Sequence, residues 1–282
     1  PDYVPRSEPA SGIAGGKVVK LDRVIWEIMP DAQTAASALL AGEVEFFEQP
    51  PIDILPTLTS APGIKIEVFS KLGNIGQVRL NHLHPPFNNV LARRAAQLAI
   101  SQDDIQRAAI GNPDFWRTCG SNFTCGSAMG VEDGSEALML KAPMAERQAK
   151  ARELLKQSGY DGKPIVLLHA TNIHVMNQTM LVVAQNLRQV GFNVQLASTD
   201  WGAVVTRRSN QNPPDQGGWN VFYTYSGGNA TSSPIALSAH AATGRKAWFG
   251  WPESAKIEEM RTEWAYAQGL AARKAVAAKL NR

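Results

Sequence analysis

The stretch 144–223 constrains the fold most tightly, because helix-patterned and strand-patterned segments alternate along it. A helix is expected over 144–157, with Gly159 ending it. Ile165-Val166-Leu167-Leu168 follows as a short apolar strand. Over 175–190, Met176, Met180, Val183, Leu187 and Val190 fall on one helical face, and Gly191 stops the helix. A strand over 193–197, a helix over 201–208, a polar loop with Pro213-Pro214 and Gly217-Gly218, and a strand over 219–223 complete the pattern. This βαβαβ order predicts a parallel or mixed sheet with right-handed crossovers. The methionine and aliphatic stripe is core material rather than a cofactor box.

Upstream, Asn74 to Asn81 reads as a strand, followed by an elbow, His84-Pro85-Pro86-Phe87, and a helix over 89–100. Each proline fixes its own φ and removes a donor. Pro85 also drives His84 out of the α region. Asn88 or Asn89 can cap the helix, on which Leu91, Ala95 and Leu98 share a face. An ordinary surface turn and a change of domain both accommodate such a kink. Further strands are expected at 23–29, 44–47 and 64–69. Helices are expected at 32–41, capped by Asp31 and ended by Gly42, and at 51–59. Residues 112–142 lack periodicity, as long functional connections often do. Two helices close the chain, one carrying Ile257, Met260, Trp264 and Ala267, the other Ala272, Val276 and Leu280.

At 282 residues the chain is long enough for one large domain or two ordinary ones, and 44% hydrophobic with 19% charged residues is globular composition. The net charge of +3 comes from scattered Lys and Arg, which argues against a nucleic-acid surface. No apolar run approaches the roughly 20 residues of a membrane helix. The sequence starts at Pro1 with neither Met nor signal peptide, so a processed or excised piece is expected. Cys119 and Cys125 are too far apart for a redox Cys-x-x-Cys motif, and no nearby His or second Cys pair completes a zinc site. A small disulfide-closed loop fits an oxidising compartment; two independent thiols are the alternative.

No nucleophile, general base or phosphate loop stands out. Gly73 and Gly76 lead into a strand rather than a helix, and Ser226-Gly227-Gly228 lacks a nucleophile elbow. His82 and His84 share a strand face and could hold a metal, but a polar edge beside the prolines is the reading adopted. His169, His174 and His240 are dispersed. No metal and no cofactor is expected.

The motifs, in their order, resemble those of the family-five extracellular solute-binding proteins of ABC importers, which carry peptides, dipeptides and nickel chelates. The likeness runs through Pro1-Asp2-Tyr3, Leu21-Asp22-Arg23-Val24, Ile28-Met29-Pro30-Asp31 and Ala38-Leu39-Leu40-Ala41-Gly42-Glu43-Val44-Glu45. It continues through the strand ending at Asn81 and the Pro85-Pro86-Phe87 elbow. Arg94-Ala95-Ala96 and Ala99-Ile100-Ser101-Gln102 then stand where the family has Arg-Gln-Ala and Ala-Ile-Asp-Arg.

The resemblance implies an α/β fold, a periplasmic-binding-protein-like lobe (type II, cluster C) with a mixed βαβ sheet, plus part of a second lobe. Residues 1–84 would be a partial first lobe and 85–282 the last, ligand-binding lobe, with a hinge at Asn81, Pro85, Pro86 and Phe87. It further implies a periplasmic, monomeric, non-enzymatic component that captures a peptide-like or other small solute and delivers it to an ABC permease in the inner membrane. A signal peptide would precede the chain, and the family normally continues past Arg282. By itself the chain is expected to bind poorly, since half the cleft would lie elsewhere.

The implied ligand residues are Trp201 and Arg208, on the helix after the second strand, and Tyr225, Ser226 and Asn229 after the third. Residue by residue, plainer roles stay open: Trp201 as a core or cap aromatic, Arg208 as a solvated helix end. Asn229 stands where peptide binders of the family have Asp. A neutral amide holds an ammonium less firmly than a carboxylate does, so opines, sugars and metal chelates stay open beside peptides. A ligand sensor on the same fold is the alternative function. An α/β enzyme is a further one, but it would need a convergent acid, base or nucleophile set that the sequence does not offer.

Overall fold

The computed structural model describes residues 4–10, 15–132, 136 and 138–281. The chain divides into two compact units, Pro1–Ile66 and Glu67–Arg282.

The first unit holds helices α1 (Ala32–Ala41) and α2 (Leu55–Ser60). The Asp31 carboxylate accepts the Thr34 N–H at 3.0 Å and starts α1; Gly42, at φ 74°, ends it. Ala36, Ile54 and Leu58 form a small core, with Leu39, Phe47 and Ile64 packed around it. The strands expected at 23–29, 44–47 and 64–69 do not form. Their alternating pattern supplies a face, but a strand also requires a ladder neighbour. Trp26 and Ile28 are 79% and 94% exposed, so this pattern is not buried within the unit.

The second unit is built on a four-stranded mixed sheet of β1 (Asn74–Leu80), β2 (Ile165–Ala170), β3 (Val194–Thr199) and β4 (Val221–Gly227), in the order β1-β4-β2-β3. β2 lies parallel to both β3 and β4, and β1 runs antiparallel to β4. All six β2 residues are buried, as an apolar run in an inner strand requires. The helices are α3 (Val90–Ala99), α4 (Gln102–Ala109), α5 (Met144–Gln157), α6 (His174–Gln189), α7 (Trp201–Arg207), α8 (Ala255–Tyr266) and α9 (Gly269–Leu280). The predicted stripe of α6 is its buried face: Met176, Met180, Val183 and Leu187 all enter the main core. Asn89 is the cap of α3, accepting the Leu91 N–H at 2.8 Å.

The elbow is fastened to the sheet. The Asn81 amide donates to the Trp219 carbonyl at 2.8 Å, and its oxygen accepts the Leu83 N–H at 3.0 Å. Asn220 donates to the Pro85 carbonyl at 3.0 Å and accepts the Val166 N–H at 2.8 Å. The Pro85–Pro86 peptide is cis. Phe87 is fully buried, its ring 5.6 Å from that of Phe192. The β1–β4 ladder ties residues 74–80 to the second unit, so the division between compact units falls before β1, whereas the expected lobe boundary lies at 84.

A second core gathers Phe123 and Met129 against Trp264 of α8 and Val276 and Ala277 of α9. Cys119 and Cys125 form the expected disulfide, with their Cα atoms 5.9 Å apart.

Candidate functional site

β2, β3 and β4 run parallel, so their C-terminal ends meet at one sheet edge, where ligands of open α/β sheets collect. α7 starts at this edge. Asp200 caps it by accepting the Ala203 N–H at 3.0 Å, and the Trp201 N–H donates to Asn172 in the β2–α6 loop at 2.8 Å. Arg208, just past α7, sits among four aromatic rings. Its guanidinium carbon lies 4.7 Å from the ring centre of Phe249, 5.3 Å from Trp201, 5.7 Å from Trp248 and 6.0 Å from Phe222. Burial pulls its pKa below the ordinary arginine value, yet the group stays charged. Among the described residues nothing forms a hydrogen bond or ion pair with this guanidinium, and its buried Nε has no partner.

Arg79 on β1 offers a contrast. Its Nε and Nη2 donate to the Phe249 carbonyl at 3.2 and 3.1 Å, its Nη1 donates to Ala239 at 3.1 Å, and its charge lies 5.1 Å from the Trp248 ring. Burial pulls its pKa down to about 10. Arg79 is thus satisfied by backbone and fixes the 248–249 wall, whereas Arg208 keeps its donors. A planar, aromatic-walled guanidinium with free donors suits a carboxylate, which it can bind through two parallel hydrogen bonds. The apolar walls exclude water and strengthen that attraction.

A second group lies at the end of β4. Tyr225 and Ser226 are half-buried, paired in register with Gly76 and Ile75. Asn229 is exposed in the turn that follows. Its backbone carbonyl accepts the Ser232 hydroxyl at 2.7 Å, and its side-chain amide engages no described residue. The turn is held close to the 72–73 backbone: the Gly228 N–H donates to the Gly73 carbonyl at 2.7 Å. A Cβ at position 228 would stand 2.7 Å from both the carbonyl oxygen and the Cβ of Leu72. Gly228→Ala is therefore expected to cost about 2 kcal/mol, read as a lower urea midpoint at unchanged slope.

Trp201 and Arg208 are brought into contact, and Tyr225, Ser226 and Asn229 follow one another in the chain. Among the described residues no hydrogen bond, ion pair or ring contact joins the two groups. They are linked through β4, where Phe222 walls Arg208 and Ser226 lies four residues further along the same strand face, roughly 13 Å away. Sequence reasoning missed Arg79, Phe222, Trp248 and Phe249. The aromatic pair Trp248-Phe249, followed by Gly250-Trp251, and a lone arginine inside a strand pattern were the available signals.

His82 and His84 do not converge on a metal geometry: among the described residues no three His, Cys, Asp or Glu side chains form such a cluster. His84 Nε2 instead lies 2.9 Å from the Gln211 carbonyl. Burial, then the charges of Arg93 and Arg79, push His82 down to about 4. The folded state thus resists a proton that the unfolded chain accepts. The stability contributed by neutral His82 is present above about pH 6.5 and is lost as pH falls toward about 4. His240, also lowered by burial, acts with the same sign. The thermal midpoint is expected to drop between about pH 7.5 and about pH 4.5, and His82→Gln should reduce the drop.

This mixed sheet, with Arg208 set among aromatic rings beside α7, is shared with binding-protein lobes of known structure. The ABC transporter substrate binding protein CtaP of Listeria monocytogenes superposes with a TM-score of 0.72 at 17% identity, over 90% of this chain and 50% of that one. The family "Bacterial extracellular solute-binding proteins, family 5 Middle" matches residues 1–248, and the chain belongs to that family. A Sinorhizobium fredii relative, named a probable peptide ABC transporter periplasmic-binding protein, is 39% identical over 99% of this chain and 52% of its own length. A glutathione-binding protein of Pectobacterium atrosepticum is 25% identical over 89% of this chain and 46% of its own length. The chain spans about half the length of these relatives.

Proposed function

We propose that this chain supplies the solute-gripping lobe of the periplasmic binding component of a peptide-type ABC importer. Arg208 anchors a carboxylate of the solute, with Trp201 and Phe249 as apolar walls, while Tyr225 stands beside Ser226 at the far end of β4. Ser226 and Asn229 offer neutral hydrogen bonds toward the other end of the solute. The observation that carries this reading is the aromatic-walled Arg208 guanidinium, charged and without a partner among the described residues. The relatives' names, peptide-binding and glutathione-binding, agree with a carboxylate-bearing solute.

Asn229 would hold an ammonium only as a neutral acceptor, so the amino end of a peptide contributes less than its carboxyl end. Asn81, Pro85, Pro86 and Phe87 serve as the fixed seat of the hinge on which this lobe moves in the full-length protein. Closure would trap the solute and present the protein to a membrane permease. The role involves no chemical step.

A thermal-shift series on the full-length protein with trialanine, trialanine amide, glutathione and a neutral sugar tests the reading. Trialanine or glutathione at about 100 times its Kd should stabilise by about 2.7 kcal/mol, while the amide and the sugar do little. A protein indifferent to both carboxylate-bearing solutes would contradict it.

A further inference from the structure

The Cys119–Cys125 loop lies outside the solute grip described above, yet it holds the turn that presents Asn229. Thr124 is buried within the loop. Its hydroxyl donates to the Gly228 carbonyl at 2.7 Å and lies 2.5 Å from the Thr231 hydroxyl, while its backbone N–H donates to the Thr231 carbonyl at 3.2 Å. Thr231 is fully buried. Asn229 therefore sits between two residues that Thr124 grips. The rest of the loop is anchored elsewhere. Gln102 of α4 clasps the Cys119 backbone through both amide atoms, at 2.8 and 2.9 Å. Asn281 accepts the Asn122 N–H at 2.8 Å and the Ser121 hydroxyl at 3.3 Å. Phe123 fills the core beneath α8 and α9, its ring edge-on to His240 at 5.3 Å. The disulfide closes the two ends of the loop on each other, so the position of Thr124 is set by the same clasp that holds Cys119.

We propose that Thr124 is a positioning residue for the 228–231 turn, and that the disulfide loop carries it and sets the height at which Asn229 meets the solute. The proposal rests on the reading of Asn229 as a solute contact. α8 and α9 are anchored by Phe123, Met129 and the Asn281 bonds. The hydroxyl of Thr124 adds nothing to that second core and is directed to the turn alone. Threonine supplies both the hydroxyl and a methyl group for a buried site; serine keeps the former, and valine keeps only the shape.

The test compares the unmodified protein with Thr124→Val, Thr124→Ser and the double variant Cys119→Ser/Cys125→Ser. Hydrogen exchange is followed over 226–232, and calorimetry uses trialanine and glutathione as probes. In Thr124→Val, exchange over 226–232 should accelerate about tenfold while α8 and α9 keep their protection, and the Kd of the binding probe should rise about tenfold. Thr124→Ser should restore both, and the double cysteine variant should follow Thr124→Val. Unchanged exchange over the turn in Thr124→Val overturns the proposal. So does faster exchange with unchanged affinity, or a loss of protection spread equally over α8 and α9. If the unmodified protein binds neither probe, the solute reading fails, and the exchange data alone decide whether Thr124 holds the turn.

Discussion

Arg208→Met weakens the binding of a carboxylate-bearing solute by roughly 100-fold, about 3 kcal/mol, and leaves the fold in place. Removing one partner of a desolvated, hydrogen-bonded charge pair costs this much because the other charge is left without compensation. The methionine keeps an apolar stem between Trp201 and Phe249, so the aromatic walls stay filled. Arg208→Lys recovers only part of the affinity. A lysine presents a point charge on a flexible stem and cannot offer two parallel donors in one plane. Calorimetry gives the affinity loss, and an unchanged urea midpoint shows that the fold is not its cause.

Arg79→Met has the opposite profile, a large loss of stability. Three charge-assisted donors disappear from the carbonyls of Phe249 and Ala239, and Trp248 loses one of its cations. Hydrogen bonds from charged donors are each worth about 1.5–3 kcal/mol, and part of this loss is offset when water reaches the freed carbonyls. The net cost should be about 3 kcal/mol, a fall in thermal midpoint of roughly 6–12 °C for a unit of this size. Because the lost bonds fix the segment that walls Arg208, affinity should also fall, by less than in Arg208→Met. Chemical denaturation and calorimetry on the same sample separate the two effects.

The parts of this fold that could be read from sequence are those where one element carries its own evidence. The α6 stripe, the Asp31 and Asn89 caps, the stops at Gly42 and Gly191 and the apolar run of β2 each combine periodicity with a cap or breaker, and each appears where expected. The segments at 23–29, 44–47 and 64–69 carry equally good alternation, but pairing is not a local property, and no ladder forms there. The site divides in the same way. Trp201 and Arg208 are seven residues apart, two helical turns, so their contact follows from α7 itself. Trp248 and Phe249 approach Arg208 from forty residues downstream, and Arg79 approaches Trp248 from well over a hundred residues upstream. Only the sheet order and the loop after β4 bring them together. The Cys119–Cys125 spacing allowed either a bond or two thiols, and closure became visible only with the loop packed against α4 and α9.

The central claim is that a carboxylate is what Arg208 holds. It is tested most directly by calorimetric titration of the unmodified full-length protein with trialanine and with trialanine amide, which differ only at that group. If Arg208 anchors the carboxylate, the acid binds at least about thirty times more tightly than the amide, a difference of about 2 kcal/mol. Equal affinities for the two would contradict the account.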